Sequence, residues 1–215
     1  MLVHGRRDPE FAAILADADL VLPDGMPLVW MLRAFGLGRS ERVAGPDLML
    51  ELCAAAAARG VPVGFYGGRQ EVLQRCSERL LERVPHLRIV IALAPPFRPL
   101  SAKEEGRIRD EILASGARLL FVALGCPKQE RWMHRHRSML PLPMIGVGAA
   151  VDFHAGAVRR APLWMQRVGL EWLYRLAAEP RRLWRRYLVG NLLFFLFLAD
   201  QLVRSRVPRL AERRP

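Results

Sequence analysis

Residues 119–130, with the sequence LLFVALGCPKQE, hold the change of pattern that decides the fold. Residues 119–124 are a continuous apolar run of strand length, and Gly125 and Pro127 follow it directly. A short apolar run bounded by glycine and proline is typical of a strand buried in a parallel sheet. The charged stretch at residues 128–137 then predicts a helix. This part of the chain is therefore a strand, a turn and a helix.

The same alternation of strands and helices extends over most of the chain. Further strands are predicted at residues 20–22, 61–66, 88–93 and 144–147. Further helices are predicted at residues 9–16, 26–35, 47–59, 70–84 and, behind the capping-box sequence SAKE, 101–114. Such alternation predicts an α/β fold, with a Rossmann-like parallel sheet and helices on both of its faces.

Charge is distributed unevenly and separates a C-terminal segment from the rest. The net charge of the chain is +12, and residues 159–215 hold 13 arginines against Glu171, Glu179, Asp200 and Glu212. The pattern there is helical and rich in tryptophan. We predict two domains: a Rossmann-like domain at residues 1–158, and a basic, aromatic-rich helical appendage at residues 159–215 that associates with membranes.

The charge of the appendage indicates an anionic partner. The apolar run at residues 192–199 ends at Asp200 and is far shorter than the ~20 residues of a spanning helix. A helix lying in the interface of an anionic membrane fits better, where each basic residue contributes about 1 kcal/mol. The alternative is a helical subdomain that packs on the sheet domain or on a second subunit, so a homo-oligomer stays open. We expect no nucleic-acid partner, because arginines that bind phosphates would not need the apolar run.

Other features limit the compartment and the chemistry. Cys53, Cys76 and Cys126 are an odd number without paired spacing, which fits a reducing cytosol, and the first residues show no signal-peptide pattern. The chain has no GxGxxG or Walker motif, so NAD or ATP binding is not indicated. His134 and His136 lie two apart on a predicted helix and face different ways, and the sequence has no H-E-x-x-H motif and no CxxC pair, so no metal site is expected.

Several polar or glycine-rich segments directly follow predicted strands. They are Asp24, Gly67 with Gly68, residues 125–130 and residues 148–152. Because ligands of parallel sheets bind outside the carboxyl ends of the strands, we expect these segments to gather along one edge. Asp24 there could accept a proton from an attacking hydroxyl. Aspartate is also common in turns beside glycine, and this local pattern alone does not separate the two interpretations.

The loop at residues 125–130 and its neighbours supply the candidate binding groups. Backbone N–H groups at the start of the predicted helix, together with Lys128, suit a phosphate or sugar hydroxyls. Gly67 and Gly68 could likewise lie against a nucleotide. The candidate binding residues are Gly67, Gly68, Gly125, Lys128, Gln129, Glu130, Gly148 and Asp152.

Seven segments in order resemble the WecG/TagA/CpsF glycosyltransferase family, from about residue 7 to residue 190. They are ADLVLPDG at 18–25, RVAGPDL at 42–48, GCPKQE at 125–130, GVGAAVDF at 146–153, RRAP at 159–162, GLEWLYR at 169–175 and EPRR at 179–182. Members of that family usually begin some tens of residues earlier, with a first strand and a Thr-Asn-type segment. The resemblance therefore implies a form that lacks the usual N-terminal segment.

The resemblance implies an inverting, metal-independent hexosyltransferase. The donor is a UDP-sugar of N-acetylmannosamine type or a related hexose, used as a substrate, and there is no cofactor. The acceptor is a lipid-diphosphate-linked sugar at the cytoplasmic face of the cell membrane, in the synthesis of teichoic acid, exopolysaccharide or another surface polysaccharide. Asp24 matches the general base, Gln129 matches a residue of the sugar and nucleotide pocket, and Arg175 resembles the arginine that stabilises the departing diphosphate. The alternative is a truncated, non-catalytic scaffold at the membrane surface.

Overall fold

The computed structural model describes residues 1–211 of the chain. Glu212, part of the charge count of the predicted appendage, and the three residues after it lie outside the described residues. The described chain forms two compact units. One comprises Met1–Ala12, Gly25–Arg42 and the residues from Arg160 onward, and the other comprises Ala13–Asp24 and Val43–Arg159.

The sheet of the second unit has four parallel strands in the order β2-β1-β3-β4. They are β1 (Val63–Gly67), β2 (Ile89–Leu93), β3 (Leu119–Ala123) and β4 (Met144–Gly146). The central pair is in register from Val63 opposite Leu119 to Gly67 opposite Ala123. The predicted parallel sheet is confirmed.

Twelve helices lie within the described residues. Their bounds are α1 (Leu2–Arg7), α2 (Pro9–Ala16), α3 (Met26–Ala34), α4 (Gly45–Ala58), α5 (Gln70–Arg83), α6 (Ala102–Ala114), α7 (Lys128–His136), α8 (Ala150–His154), α9 (Leu163–Arg167), α10 (Glu171–Ala178), α11 (Pro180–Trp184) and α12 (Gly190–Ala211). A π-helical turn (Arg185–Val189) joins α11 to α12. The predicted capping box is present, since the Ser101 hydroxyl accepts from the Glu104 N–H and the Glu104 carboxylate accepts from the Ser101 N–H.

Alternate residues of the central strands build a core on each face of the sheet. On one face, the stacked rings of Phe65 and Phe121 pack in a cluster with residues of α4, α5 and α8. On the other face, the ring centroid of Tyr66 lies 4.4 Å from that of Trp132 of α7, in a cluster that includes Ile112 of α6. Full burial of such side chains contributes about 1.5–3 kcal/mol each. The predicted Rossmann-like arrangement, with helices on both faces, is therefore confirmed.

The predicted strand at residues 20–22 is wrong. The segment is not part of the sheet, and the side chains of Leu20 and Val21 are 73% and 49% exposed. The Pro23 carbonyl accepts a hydrogen bond from the Val43 N–H at 3.0 Å. The backbone here is thus paired with the segment leading into α4, and three apolar residues alone do not define a strand.

The first unit is helical, as the sequence predicts for its C-terminal part. Arg6 of α1 donates to the Asp200 carboxylate of α12 at 3.1 Å and lies 5.9 Å from the ring centroid of Phe197. A Cβ on Gly169 would lie 3.1 Å from the Met26 Cβ, so the turn before α10 packs closely on α3. Within residues 1–211, no helix is both long and apolar enough to cross a membrane.

Candidate active site

The carboxyl edge of the sheet brings three glycine-containing loops together. The chain leaves β1 for β2 on one side and returns to β3 on the other, so the strand order reverses between β1 and β3. Ligands of open α/β sheets bind at such a switch point. Gly67 ends β1 and Gly68 follows it, Gly125 follows β3, and Gly148 follows β4. The predicted gathering of these three loops at one edge is confirmed.

The ends of β1 and β3 approach each other closely at Gly67. Its φ is +115°, and a Cβ there would lie 2.6 Å from the carbonyl carbon of Ala123 and 2.7 Å from its oxygen. No side chain fits against backbone at that distance, and this φ favours glycine. Gly68 has a φ of +79°. The end of β1 therefore lies directly against the end of β3, with bare backbone at the edge.

The side-chain amide of Gln129 connects the loops after β3 and β4. Its Oε1 accepts from the Gly125 N–H at 3.2 Å and from the Gly148 N–H at 3.1 Å. Gln129 is in the first turn of α7 and is only 6% exposed. We call these two hydrogen bonds the Gln129 bridge. It fixes two backbone segments that follow neighbouring strands.

Glu130 holds the other end of the same amide. The Gln129 Nε2 donates to the Glu130 Oε1 at 2.9 Å, and Glu130 is 7% exposed. The second carboxylate oxygen, Oε2, is buried and has no hydrogen-bond partner among the described residues. Gly146 leaves space for the amide, since a Cβ there would lie 2.7 Å from the Gln129 Nε2. The pair is thus enclosed and oriented by its surroundings.

The remaining candidates of the second unit lie near this edge. Lys128 is exposed at the first position of α7, and Asp152 is half-buried in α8. Burial, followed by the charges of Cys53 and Asp152, raises the pKa of the Cys76 thiol to about 12. Asp152 is therefore close enough to α5 to act on that thiol.

The start of α4 also reaches the carboxyl edge, which the sequence analysis did not identify. A Cβ on Gly45 would lie 3.3 Å from the Val147 carbonyl oxygen, just after β4. The ring Nε2 of His154 in α8 is 2.8 Å from the Pro46 carbonyl oxygen. Gly45-Pro46 lies in RVAGPDL, one of the segments that carry the family resemblance. This dipeptide is the sequence feature that could have pointed to the start of α4 as part of the edge.

Asp24 is exposed and directly precedes Gly25, the N-cap residue of α3. It follows no strand, so that part of its predicted setting is wrong. Asp17, which precedes Asp24 in the chain, lies beside α7, where its carboxylate pairs with Arg137 and with the Nδ1 of His134. Among the described residues, no three His, Cys, Asp or Glu side chains converge as a metal-binding group.

Arg175 shares a helix with Glu171, which is part of a charged cluster of the first unit. It is half-buried on α10, one turn after Glu171, so both side chains lie on the same side of that helix. The Glu171 carboxylate accepts from Arg42 at 2.5 Å and lies 4.0 Å from the Arg160 Nε. Arg42 also donates to the Gln166 Oε1 at 3.4 Å. The cluster holds more positive than negative charge.

Residues 1–208 match the glycosyl transferase WecG/TagA/CpsF family over nearly the whole chain. The chain belongs to the WecG/TagA/CpsF family of glycosyltransferases. The resemblance seen in the seven sequence segments is therefore confirmed.

Two curated proteins of this glycosyltransferase family are similar to the chain. Both are named N-acetylglucosaminyldiphosphoundecaprenol N-acetyl-beta-D-mannosaminyltransferase. The protein of Bacillus spizizenii is 35% identical over 183 residues, and that of Bacillus subtilis is 31% identical over 183 residues. In each case the similarity covers 85% of this chain and 69% of the relative.

Proposed function

We propose that the protein transfers an N-acetylmannosamine-type sugar, or a related hexose, from a UDP donor to a lipid-diphosphate-linked sugar. The observation that carries the proposal is the similarity to two enzymes that share one printed activity, over 85% of this chain. Their name specifies a mannosaminyl group as the group transferred and a diphosphoundecaprenol lipid as the acceptor carrier. The product would be an intermediate of cell-surface polysaccharide synthesis.

The carboxyl edge of the sheet is the proposed donor site. It offers bare backbone at Gly67 and Gly68, the N-terminal end of α7, where the Gln129 N–H already donates to the Gly125 carbonyl, and the exposed ammonium of Lys128. Backbone donors and a lysine suit the oxygens of a diphosphate or of a sugar. Asp152 adds a carboxylate, which accepts hydrogen bonds from hydroxyl groups.

Asp24 is the proposed general base. Sugar transfer with inversion needs one group that takes the proton from the attacking acceptor hydroxyl while the bond to the diphosphate breaks. A positioned carboxylate in this role contributes a rate factor of about 10² to 10⁴. The exposure of Asp24 leaves it accessible to an acceptor that arrives from outside the protein.

The leaving group is a UDP diphosphate, which gains negative charge in the transition state. Arg175 is proposed to stabilise that charge, since a guanidinium is always protonated and matches phosphate oxygens with two donors. The neighbouring Glu171, which Arg42 binds, holds the preceding turn of α10 in place. We propose that arginine takes the place of a metal ion here and that no cofactor takes part, the donor sugar nucleotide being a substrate.

The helical C-terminal part is proposed to bring the enzyme to the cytoplasmic face of the membrane, where a lipid-linked acceptor resides. The side chains of Leu192, Phe195 and Leu196 on α12 are each more than half exposed. Apolar side chains on a helix in an arginine-rich segment are typical of a helix lying in the interface of an anionic bilayer.

The experiment is a transfer assay with a panel of UDP-sugars and lipid-diphosphate-linked N-acetylglucosamine, run with and without EDTA. We expect transfer from UDP-N-acetylmannosamine or a related donor, at a rate that EDTA leaves unchanged. Transfer that EDTA abolishes would refute the metal-independent mechanism. No transfer from any donor, together with no thermal stabilisation by UDP, would refute the enzyme and favour a scaffold.

A further inference from the structure

The hydrogen bonds of Gln129 use nearly all of the capacity of its amide. A glutamine oxygen accepts two hydrogen bonds and its nitrogen donates two. The Oε1 is filled by the N–H groups of Gly125 and Gly148, and one Nε2 hydrogen is given to Glu130. The oxygen therefore has no lone pair to offer to a substrate, and the nitrogen is enclosed beside Gly146.

The two glycines that it joins adopt left-handed backbone conformations, which glycine takes without strain. Gly125 has a φ of +76° and Gly148 a φ of +52°, and both stand directly after strands of the carboxyl edge. Gly125 accepts in turn from the Gln129 N–H at 2.9 Å. The Gln129 bridge thus sets where the two loops stand relative to each other, and with them the backbone donors of the proposed donor site.

Glu130 decides which way the amide points. If the Gln129 amide were rotated by half a turn, its NH2 group would face two N–H donors and its oxygen would face a carboxylate, so three favourable contacts would become unfavourable. The Glu130 Oε1 at 2.9 Å therefore selects the orientation that lets Oε1 accept from both loops. The same contact gives the buried Glu130 carboxylate a hydrogen-bond donor, which reduces the cost of burying it.

We infer that Gln129 and Glu130 are positioning residues, which shape the donor site by fixing the loops of Gly125 and Gly148 and do not themselves contact the sugar nucleotide. This inference rests on the proposed function, because only that function provides a donor for the loops to bind. It assigns the substrate contacts of this edge to the loop backbones. Gln129 and Glu130 then act through those loops.

An exchange of the two side chains tests the inference. In Q129E, the introduced carboxylate still accepts from both glycine N–H groups, but its second oxygen faces the Glu130 carboxylate with no proton between them. E130Q keeps an oxygen that accepts from the Gln129 Nε2. In the double variant Q129E/E130Q, the amide introduced at position 130 donates to the carboxylate introduced at position 129, so the bridge is rebuilt with the same charge.

The measurements are kcat and KM for the donor, the Kd of UDP, the thermal midpoint and the amide NMR signals of Gly125 and Gly148, all on the full chain. We expect Q129E to raise KM and the Kd of UDP by the same factor, about tenfold to a hundredfold, because buried groups lose their partner. E130Q should show a smaller rise than Q129E, because its amide oxygen still accepts from the Gln129 Nε2 but its NH2 group no longer excludes the rotated orientation. The double variant should return to within about threefold of wild type, and the two glycine signals should shift in Q129E and return in the double variant. A role in stability alone would lower the midpoint and leave KM unchanged.

The matched control is Q74E/E78Q on α5, where the Gln74 Nε2 donates to the Glu78 Oε1 at 3.0 Å on the exposed surface. This exchange should leave KM and the glycine signals unchanged. A double variant as impaired as Q129E would show that Gln129 contacts the substrate. A loss in E130Q larger than that in Q129E, and not recovered in the double variant, would show that the Glu130 charge does; either result overturns the inference. Wild-type protein that neither transfers sugar nor binds UDP would refute the proposed function and this inference together, whereas active wild type with an unrescued double variant refutes the inference alone.

Discussion

Replacing Gly67 with alanine should destabilise the sheet at the carboxyl edge of β1. The positive φ of +115° costs an L-residue about 1–2 kcal/mol, and the Cβ would lie 2.6 Å from backbone of β3, which must move at a cost of about 1–3 kcal/mol. We expect a loss of about 3 kcal/mol in the free energy of unfolding. In a chain of this size each kcal/mol lowers the thermal midpoint by about 2–4 °C, so the midpoint should fall by roughly 6–12 °C.

Gly116→Ala is the matched control for this variant. Gly116 also has a positive φ, +71°, but no atom lies within 4 Å of the position its Cβ would take. Its cost is the backbone conformation alone, about 1 kcal/mol, or roughly 2–4 °C. Thermal unfolding followed by circular dichroism, with both variants at the same protein concentration, separates the two effects. Equal midpoints for the two variants would refute the close approach of β1 to β3.

Three further predictions concern the chemistry. Asp24→Asn should keep the Kd of UDP and lose at least about a hundredfold in kcat, measured by transfer assay and calorimetry, and normal turnover would end its assignment as the base. Arg175→Ala should lower kcat more than it weakens donor binding, and Arg175→Lys should recover part of the rate; equal rates in all three proteins would remove Arg175 from the reaction. Burial raises the pKa of both Cys53 and Cys76 to about 12, so at pH 8 these thiols should resist iodoacetamide until the protein unfolds. Cys126 should be modified before them, and bound UDP should slow its modification. Mass spectrometry of the modified peptides checks this order, and rapid labelling of Cys53 or Cys76 in folded protein would contradict it.

Most of the sheet could be predicted from the sequence because its signals are local. The apolar run before Gly125 is β3, and the capping box at Ser101 begins α6 as expected. These patterns depend on residues that are adjacent in the chain. The order of the strands then brings the loops after β1, β3 and β4 to one edge, which follows from parallel topology alone.

The features that the sequence did not reveal depend on contacts between distant segments. Leu20 and Val21 have strand-like composition, yet the backbone at Pro23 pairs with Val43, which no local pattern shows. The role of Gln129 as a bridge depends on the 3.1 Å contact with Gly148, nineteen positions later in the chain. Gly148 indicates a loop after β4. The sequence does not show which side chain occupies the space that Gly146 leaves.

The most direct test of the proposed activity is mass spectrometry of lipid-diphosphate-linked N-acetylglucosamine after incubation with UDP-N-acetylmannosamine, wild-type protein and EDTA, beside the same reaction with Asp24→Asn. We expect wild-type protein to add one N-acetylhexosamine residue to the acceptor and release UDP, and the variant to leave nearly all of the acceptor unchanged. An acceptor that stays unmodified with wild-type protein, or is modified equally by the variant, would contradict the account.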